Sequence, residues 1–313
     1  MNSILLYGAL LLTQCGNCTK QFAMKKCGAI APGPFNSVCI NMMRATICFV
    51  ISCIIWLIAD GGRGTTLEGH LIILAGGIGT AFNLFAWILS TRAVSLILLE
   101  SISTVTTMII PMLLAPVLYN GDKASPLQWI GSILIFVSLF FFSEKKDHKK
   151  KEKAKGSFFS KFGIVFLCAV SAGLAAISKK FYTENIVSAS LGSVEYYTFM
   201  SFVIVLVVFA VLFAVFYGKE RCAAKHTGGK VELPYKRVWV YILIAASALY
   251  VVELFATYAA KLPDGIYYPL SRGLTAGTTF LLDVFAFKDK VTVKKIVGLV
   301  LVIVSVVMVN LQF

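Results

Sequence analysis

Ten apolar runs, each about 20 residues long and separated by shorter polar stretches, organise this 313-residue chain. They lie near 3–22, 37–59, 70–90, 96–118, 126–143, 162–181, 194–217, 238–260, 266–287 and 293–311. Each is close to the length a helix needs to cross the hydrocarbon core. In lipid a helix satisfies its own backbone hydrogen bonds, so the pattern predicts an all-α membrane protein of ten transmembrane helices. No Lys or Arg precedes the first run, and no clear small-residue cleavage site follows it. It therefore reads as a mature span and not as a secretion signal.

Composition agrees with the pattern. The chain is 58% hydrophobic and 14% charged, with mean hydropathy +0.83. Soluble domains carry about 25% charged residues, so lipid is the solvent expected here. A net charge of +14 in a soluble protein would suggest nucleic acid. Here the basic residues sit in loops, where anionic lipid headgroups are the expected partner. With no basic, aromatic-interleaved soluble domain, no nucleic-acid partner is expected.

One hydrophilic segment breaks the series. Residues 144–161, EKKDHKKKEKAKGSFFSK, form a lysine-dense linker that divides the chain into 1–143 and 162–313. A second polar loop is predicted at 218–237. The two parts resemble each other in collinear order. Thr19-Lys20-Gln21-Phe22 corresponds to Ser178-Lys179-Lys180-Phe181, and Asn83-Leu84-Phe85-Ala86 to Glu253-Leu254-Phe255-Ala256. Leu99-Glu100-Ser101 falls on Pro269-Leu270-Ser271. Further on, Asp122-Lys123, Gly131 and Val137-Ser138 match Asp289-Lys290, Gly298 and Val304-Ser305. Each half holds an odd number of spans, five, so the second must cross the membrane in the opposite sense to the first. The expectation is two inverted five-helix repeats, a common construction of secondary transporters.

With the repeat in place, the chain resembles the drug/metabolite transporter superfamily, in particular its EamA-like branch, over nearly its whole length. The resemblance rests on Pro111 to Phe140, with its proline-led apolar helix, short polar turn and Leu127-Gln128-Trp129-Ile130-Gly131 entry to the next span. Asn41-Met42-Met43-Arg44-Ala45 is similar to the family's Arg-containing second helix, and Lys288-Asp289-Lys290 and Gly298 form a weaker copy. Two features depart from the family pattern: Gly121-Asp122 where Gly-Glu is common, and the long lysine linker. The resemblance implies a helical transporter but not its substrate, since the family's substrates are diverse.

Ionisable side chains within spans are costly in hydrocarbon and mark functional positions by default. Beyond the first residues of each run, they are Lys20, Arg44, Glu100, Lys179, Lys180, Glu253, Arg272 and Asp283. Lys179, Lys180 and Asp283 lie near span ends, where snorkelling to the interface is expected. Glu253 is the deepest acid and the candidate to carry a coupling proton; its structural alternative is a bridge to Arg44 or Arg272. Glu100 has hydroxyl neighbours in Ser101, Ser103 and Thr104. Tyr267-Tyr268-Pro269-Leu270-Ser271-Arg272 opens the ninth span with groups suited to a solute pocket or to interfacial anchoring, and Pro269 fits a first helical turn. Gln14 and Asn17 add neutral polar groups near mid-span, for a solute or for helix-to-helix hydrogen bonds. The candidate substrate-binding set is therefore Gln14, Asn17, Arg44, Asn83, Glu100, Glu253, Tyr267, Tyr268, Ser271 and Arg272.

Other signals are structural. Gly273 with Gly277, and Ala75 with Gly79, have the spacing of close helix packing. Cys15-Gly-Asn-Cys18 lacks a strand–helix redox context, and most of the eight cysteines sit in apolar runs as small hydrophobes. His70, His148 and His226 are scattered and make no metal cluster, and no phosphate-binding or hydrolase motif occurs. No enzyme activity, cofactor or metal is expected. The expected function is secondary transport of a small polar metabolite, amino-acid-like in one version, with protons as the candidate coupling ion. Proton-coupled multidrug export is the alternative, and a membrane scaffold or enzyme is the alternative of another class.

The loops after spans one, three, five, seven and nine, counted with Lys294 and Lys295 at the start of the tenth run, hold 21 Lys or Arg; those after spans two, four, six and eight hold three, Arg63, Lys123 and Lys261. Positive loops stay cytoplasmic. The expected location is the plasma membrane, with the linker cytoplasmic and both termini outside. This opposes the resemblance, which implies termini inside.

Overall fold

The computed structural model describes residues 3–31, 33–93, 105–109, 111–113, 125–141, 158–227, 231, 233–286 and 292–310. The described residues contain no β-strand. The helices are α1 (Ser3–Ile30), α2 (Pro34–Asp60), α3 (Leu67–Ala93), α4 (Pro126–Phe141), α5 (Phe158–Tyr182), α6 (Val194–Thr227), α7 (Tyr235–Ala259), α8 (Asp264–Phe285) and α9 (Val293–Asn310), with π-helical turns at Val105–Ile109 and Thr183–Val187. Among the described residues, Pro34–Asp60, Leu67–Trp87, Val194–Cys222 and Tyr235–Ala259 are long and apolar enough to cross a membrane. Large apolar side chains also face outward, including Ile58 at 80% exposure, Leu67 at 79% and Phe285 at 78%. A soluble bundle would cover such residues. The protein is a membrane-embedded helical bundle.

Three boundaries differ from the sequence expectation. Helix α1 continues eight residues past its apolar run, to Ile30, and α6 continues to Thr227, so much of the expected loop at 218–237 is helical. The stretch Lys219-Glu220-Arg221-Cys222-Ala223-Ala224-Lys225 is mostly good helix formers, and a helix does not stop where hydrocarbon stops. Helix α5 starts at Phe158, inside the expected linker. Most of the fourth span and most of the lysine linker lie outside the described residues.

The helices pair across the two halves. α1 packs on α7, α3 on α5, α2 on α6 and α4 on α9. Close approaches occur at glycine. A β-carbon at Gly79 would lie 2.9 Å from Ala175 N and 2.9 Å from Ser171 O, so α3 rests on the α5 backbone itself. At the α1–α7 contact, a β-carbon at Gly16 would meet Ala248 O at 3.2 Å. Gly79, the second residue of the Ala75/Gly79 pattern, is thus a close-packing position. Gly273 packs against Val306, but a β-carbon at Gly277 would meet nothing within 4 Å, so Gly277 is not a contact position. Ser138 and Ser305, matched in sequence, are both fully buried on α4 and α9, which pack together.

One end of the bundle gathers the C-termini of α2, α5 and α7 with the N-termini of α3, α6 and α8. Ser193 Oγ donates to Asp60 Oδ2 at 2.6 Å, Thr65 Oγ1 to Leu191 O at 3.1 Å, and His70 Nε2 meets Tyr196 OH at 2.8 Å. Tyr258 OH donates to Glu195. The N-terminus of α1 lies at this end too, because Leu6, Ala9 and Leu10 pack with Ala259, Ala260 and Leu262. Lys180 fastens it. Its Nζ donates to Ala260 O and Leu262 O at 2.6 Å each and to Glu184 Oε1 at 2.7 Å, and it lies 3.5 Å from Asp264 Oδ1. Its side chain is 1% exposed. Snorkelling was the expectation for this residue; instead the ammonium is held inside by two carbonyls and two carboxylates.

Candidate functional site

Five helices each turn one face toward a common interior space. On α1 that face carries Thr13, Asn17, Lys20 and Met24; on α3 it carries Thr80, Asn83, Leu84 and Trp87. On α5 it is Ala172, Ala175, Ala176 and Lys179, on α7 Leu249, Val252, Glu253 and Ala256, and on α8 Tyr267, Ser271, Arg272 and Thr275. Steps of three and four keep side chains on one side of a helix, which is why such widely separated residues converge. With Arg44 from α2 and Gln21 from α1 they enclose a cavity of about 230 Å³.

Small residues make the space. Ala172, Ala175 and Ala176 leave the α5 wall low, while Trp87 and Tyr267 supply large surfaces. Lys179 Nζ donates to Glu253 Oε2 at 2.7 Å, with the two side chains 11% and 20% exposed. Lys20 lines the same cavity, and its charge also acts on Glu253. The bridge to Glu253 considered from sequence for Arg44 or Arg272 is made by Lys179 instead. Lys179 itself does not snorkel; it belongs to the cavity wall.

Arg44 is 3% exposed. Its Nη1 donates to Asn41 Oδ1 at 2.7 Å, and Asn41 Nδ2 reaches Leu84 O at 3.5 Å. Its Nε and Nη2 are buried and have no hydrogen-bond partner. The other polar groups are used structurally in part. Asn83 Nδ2 donates to Cys168 O at 3.2 Å, and Tyr267 OH to Ala256 O at 3.3 Å.

Of the ten candidate residues, Asn17, Arg44, Asn83, Glu253, Tyr267, Ser271 and Arg272 line the cavity. Gln14 stands beside it: its Nε2 donates to Ser271 O at 3.3 Å and its Oε1 accepts from Thr275 Oγ1 at 2.9 Å, which joins α1 to α8. Tyr268 is 2% exposed and packs in the core with Leu6 and Met112. Glu100 lies outside the described residues, and the side chain of Asp283 is likewise outside them. Helix α8 begins at Asp264, so Pro269 is inside the helix and not in its first turn; the preceding turn is crowded, since a β-carbon at Gly265 would clash with Gln128. Lys20, Gln21, Thr80, Trp87, Lys179 and Thr275 were missed as lining residues. Two signals pointed to Lys20 and Lys179: their charge within apolar runs and their match between the two halves.

The eight cysteines are free, and Cys48 Sγ donates to Ala246 O at 3.2 Å as a buried packing group. Among the described residues, no group of three His, Cys, Asp or Glu could hold a metal ion.

No family model matches the chain, and no curated protein matches it significantly. A solved structure described only as the crystal structure of a protein superposes with TM-score 0.67 at 13% identity, covering 98% of this chain and 96% of that one. The likeness is one of fold alone, over nearly the whole length of both chains.

Proposed function

We propose that this protein is a secondary transporter of a small polar solute, working by alternating access around the central cavity, and that its two halves are inverted repeats of the drug/metabolite transporter type. The observation that carries the reading is the helix pairing around a polar cavity. Exchange α1 with α5, α2 with α6, α3 with α7 and α4 with α9, and the α1–α7 contact becomes the α5–α3 contact, while α2–α6 and α4–α9 map onto themselves. The directions reverse as well. α1 starts at the end that Lys180 fastens and α5 finishes there; α2 finishes there and α6 starts there. Halves related in this way can exchange conformations, and the exchange opens one side while closing the other.

The polar wall supports transport over a scaffold. Lys20, Arg44, Lys179, Glu253 and Arg272 converge on one space, where a scaffold would have no use for them. At about 230 Å³ the cavity is smaller than pockets for drug-sized ligands, typically ~300–1,000 Å³, which favours a metabolite over a multidrug cargo. Site-directed alkylation tests the mechanism. Ala172→Cys, in a variant whose native cysteines are replaced, should react with a membrane-impermeant thiol reagent from either face of oriented vesicles. Reaction from one face only, under every solute and ion gradient, would contradict alternating access.

A further inference from the structure

Ionic contacts tie α5 to α7 and α8 at and just above the cavity, and all of them come from the second half of the chain. Lys179 on α5 holds Glu253 on α7 at 2.7 Å. Lys180, the next residue, holds Ala260 O and Leu262 O at 2.6 Å each and Glu184 Oε1 at 2.7 Å, and it lies 3.5 Å from Asp264 Oδ1 at the start of α8. Lys179, Lys180 and Asp264 are each 9% exposed or less. Contacts made out of water are hard to break one at a time, because each break leaves a charge without its partner.

The first half carries the matching frame without the acids. The alignment of Thr19-Lys20-Gln21-Phe22 with Ser178-Lys179-Lys180-Phe181 sets Lys20 on Lys179, Gln21 on Lys180 and, three residues further on, Lys25 on Glu184. The alignment of Asn83 with Glu253, carried along at the same offset, sets Val94 on Asp264. Lys25 reverses the charge of its counterpart, and Asn83 and Val94 carry none. In an inverted repeat the opposite end closes when the first half takes up the conformation that the second half has here. That closure would set Lys20 against the Asn83 amide and Gln21 in the place of Lys180, with no carboxylate at any matching position. A lysine is held less tightly by an amide than by a carboxylate.

We infer that this latch is one-sided, so that the empty protein rests closed at the Lys180 end and must part Lys179 from Glu253 before the cavity faces that side. The inference rests on reading the halves as inverted repeats that exchange conformations, and it adds which of the two conformations is the lower one. Lys179 and Glu253 both line the cavity, so a bound solute touches the latch itself. Occupancy and opening are thereby coupled through the same two side chains, since a ligand shifts an equilibrium by its differential contacts with the two states.

Alkylation of Ala172→Cys, which lines the cavity, tests this in full-length protein whose native cysteines are replaced. Rates with a membrane-impermeant thiol reagent are measured from each face of oriented vesicles without added solute. Their ratio, Lys180 end over opposite end, cancels a general change in thiol reactivity. It should lie below one in the otherwise unaltered protein. Lys179→Gln and Glu253→Gln should each raise it by at least about tenfold. Lys179→Arg should leave it nearly unchanged. Asn83→Glu, which gives the first half the acid it lacks, should raise it too. The starting ratio and Lys179→Arg keep the test decisive even if a charge-removing variant does not fold. A starting ratio at or above one would overturn the inference. So would rates that rise equally from both faces in Lys179→Gln and Glu253→Gln, the mark of a loosened bundle. Reaction from both faces with a ratio indifferent to these substitutions would overturn the latch and leave alternating access standing. Reaction from one face only, in every variant, would defeat alternating access and the latch together.

Discussion

Lys179 and Glu253 meet at 2.7 Å inside the cavity wall and tie α5 to α7. Breaking a buried pair from one side costs more than the pair contributes, because a charge is left without its partner. Glu253→Gln should lower stability by about 2–3 kcal/mol, at the low end for buried pairs because cavity water reaches both partners. Adding Lys179→Met should recover most of that loss in chemical denaturation. A double variant as unstable as the sum of the singles would show that the two residues act independently. The same carboxylate is the candidate for proton coupling. Glu253→Gln should abolish gradient-driven uptake and spare counterflow exchange, and an unchanged pH dependence would move the coupling role to Glu100.

Lys180, one residue on, serves a different purpose. Lys180→Met would leave the Ala260 and Leu262 carbonyls without their donor and Asp264, 3% exposed, without its nearby cation. A loss of about 3 kcal/mol or more is expected. Hydrogen exchange should speed up across the α7–α8 junction, residues 258–266. Unaltered exchange there would mean that the ammonium does not hold this end closed.

The two glycine motifs should part ways. Gly79→Ala puts a methyl against the α5 backbone, which cannot yield as a side chain tip does, so a loss of roughly 1–3 kcal/mol is expected. Gly277→Ala meets open space and should be neutral or stabilising by up to about 1 kcal/mol through helix propensity. Thermal melting of the two variants in detergent distinguishes them; similar melting points would refute the packing assignment.

Orientation follows from charge. The end fastened by Lys180 carries Arg63 and Lys261, while among the described residues Lys25, Lys26, Lys219, Arg221, Lys225, Lys236 and Arg237 lie at the opposite ends of α1, α6 and α7. We expect the fastened end and both termini to face outside and the lysine linker to face the cytoplasm. A C-terminal alkaline phosphatase fusion should be active. A C-terminal fluorescent protein that lights up, paired with an inactive phosphatase fusion, would reverse the assignment.

The helices were legible because apolar run length reports directly on the membrane. Their ends were less so: the α6 extension to Thr227 is polar helix beyond the slab, and hydropathy measures the slab. The polar residues were legible as unusual, but not in their partners. Lys179 and Lys180 look alike in sequence, yet successive residues on a helix point about 100° apart. One therefore faces the cavity and the other the α7–α8 junction. Trp87 was overlooked because a Trp near a span end ordinarily signals the headgroup region. Gln14 and Asn17 share a helix face, but Gln14 is spent on Ser271 and Thr275 of α8.

The most direct test of transport is flux. Purified protein in liposomes preloaded in turn with unlabelled carboxylates, amino acids or uncharged polar solutes should accumulate the labelled form of at least one of them from outside by counterflow. Accumulation no greater than in protein-free liposomes, across a panel that includes carboxylates, amino acids and uncharged solutes, would contradict the assignment of this protein as a transporter.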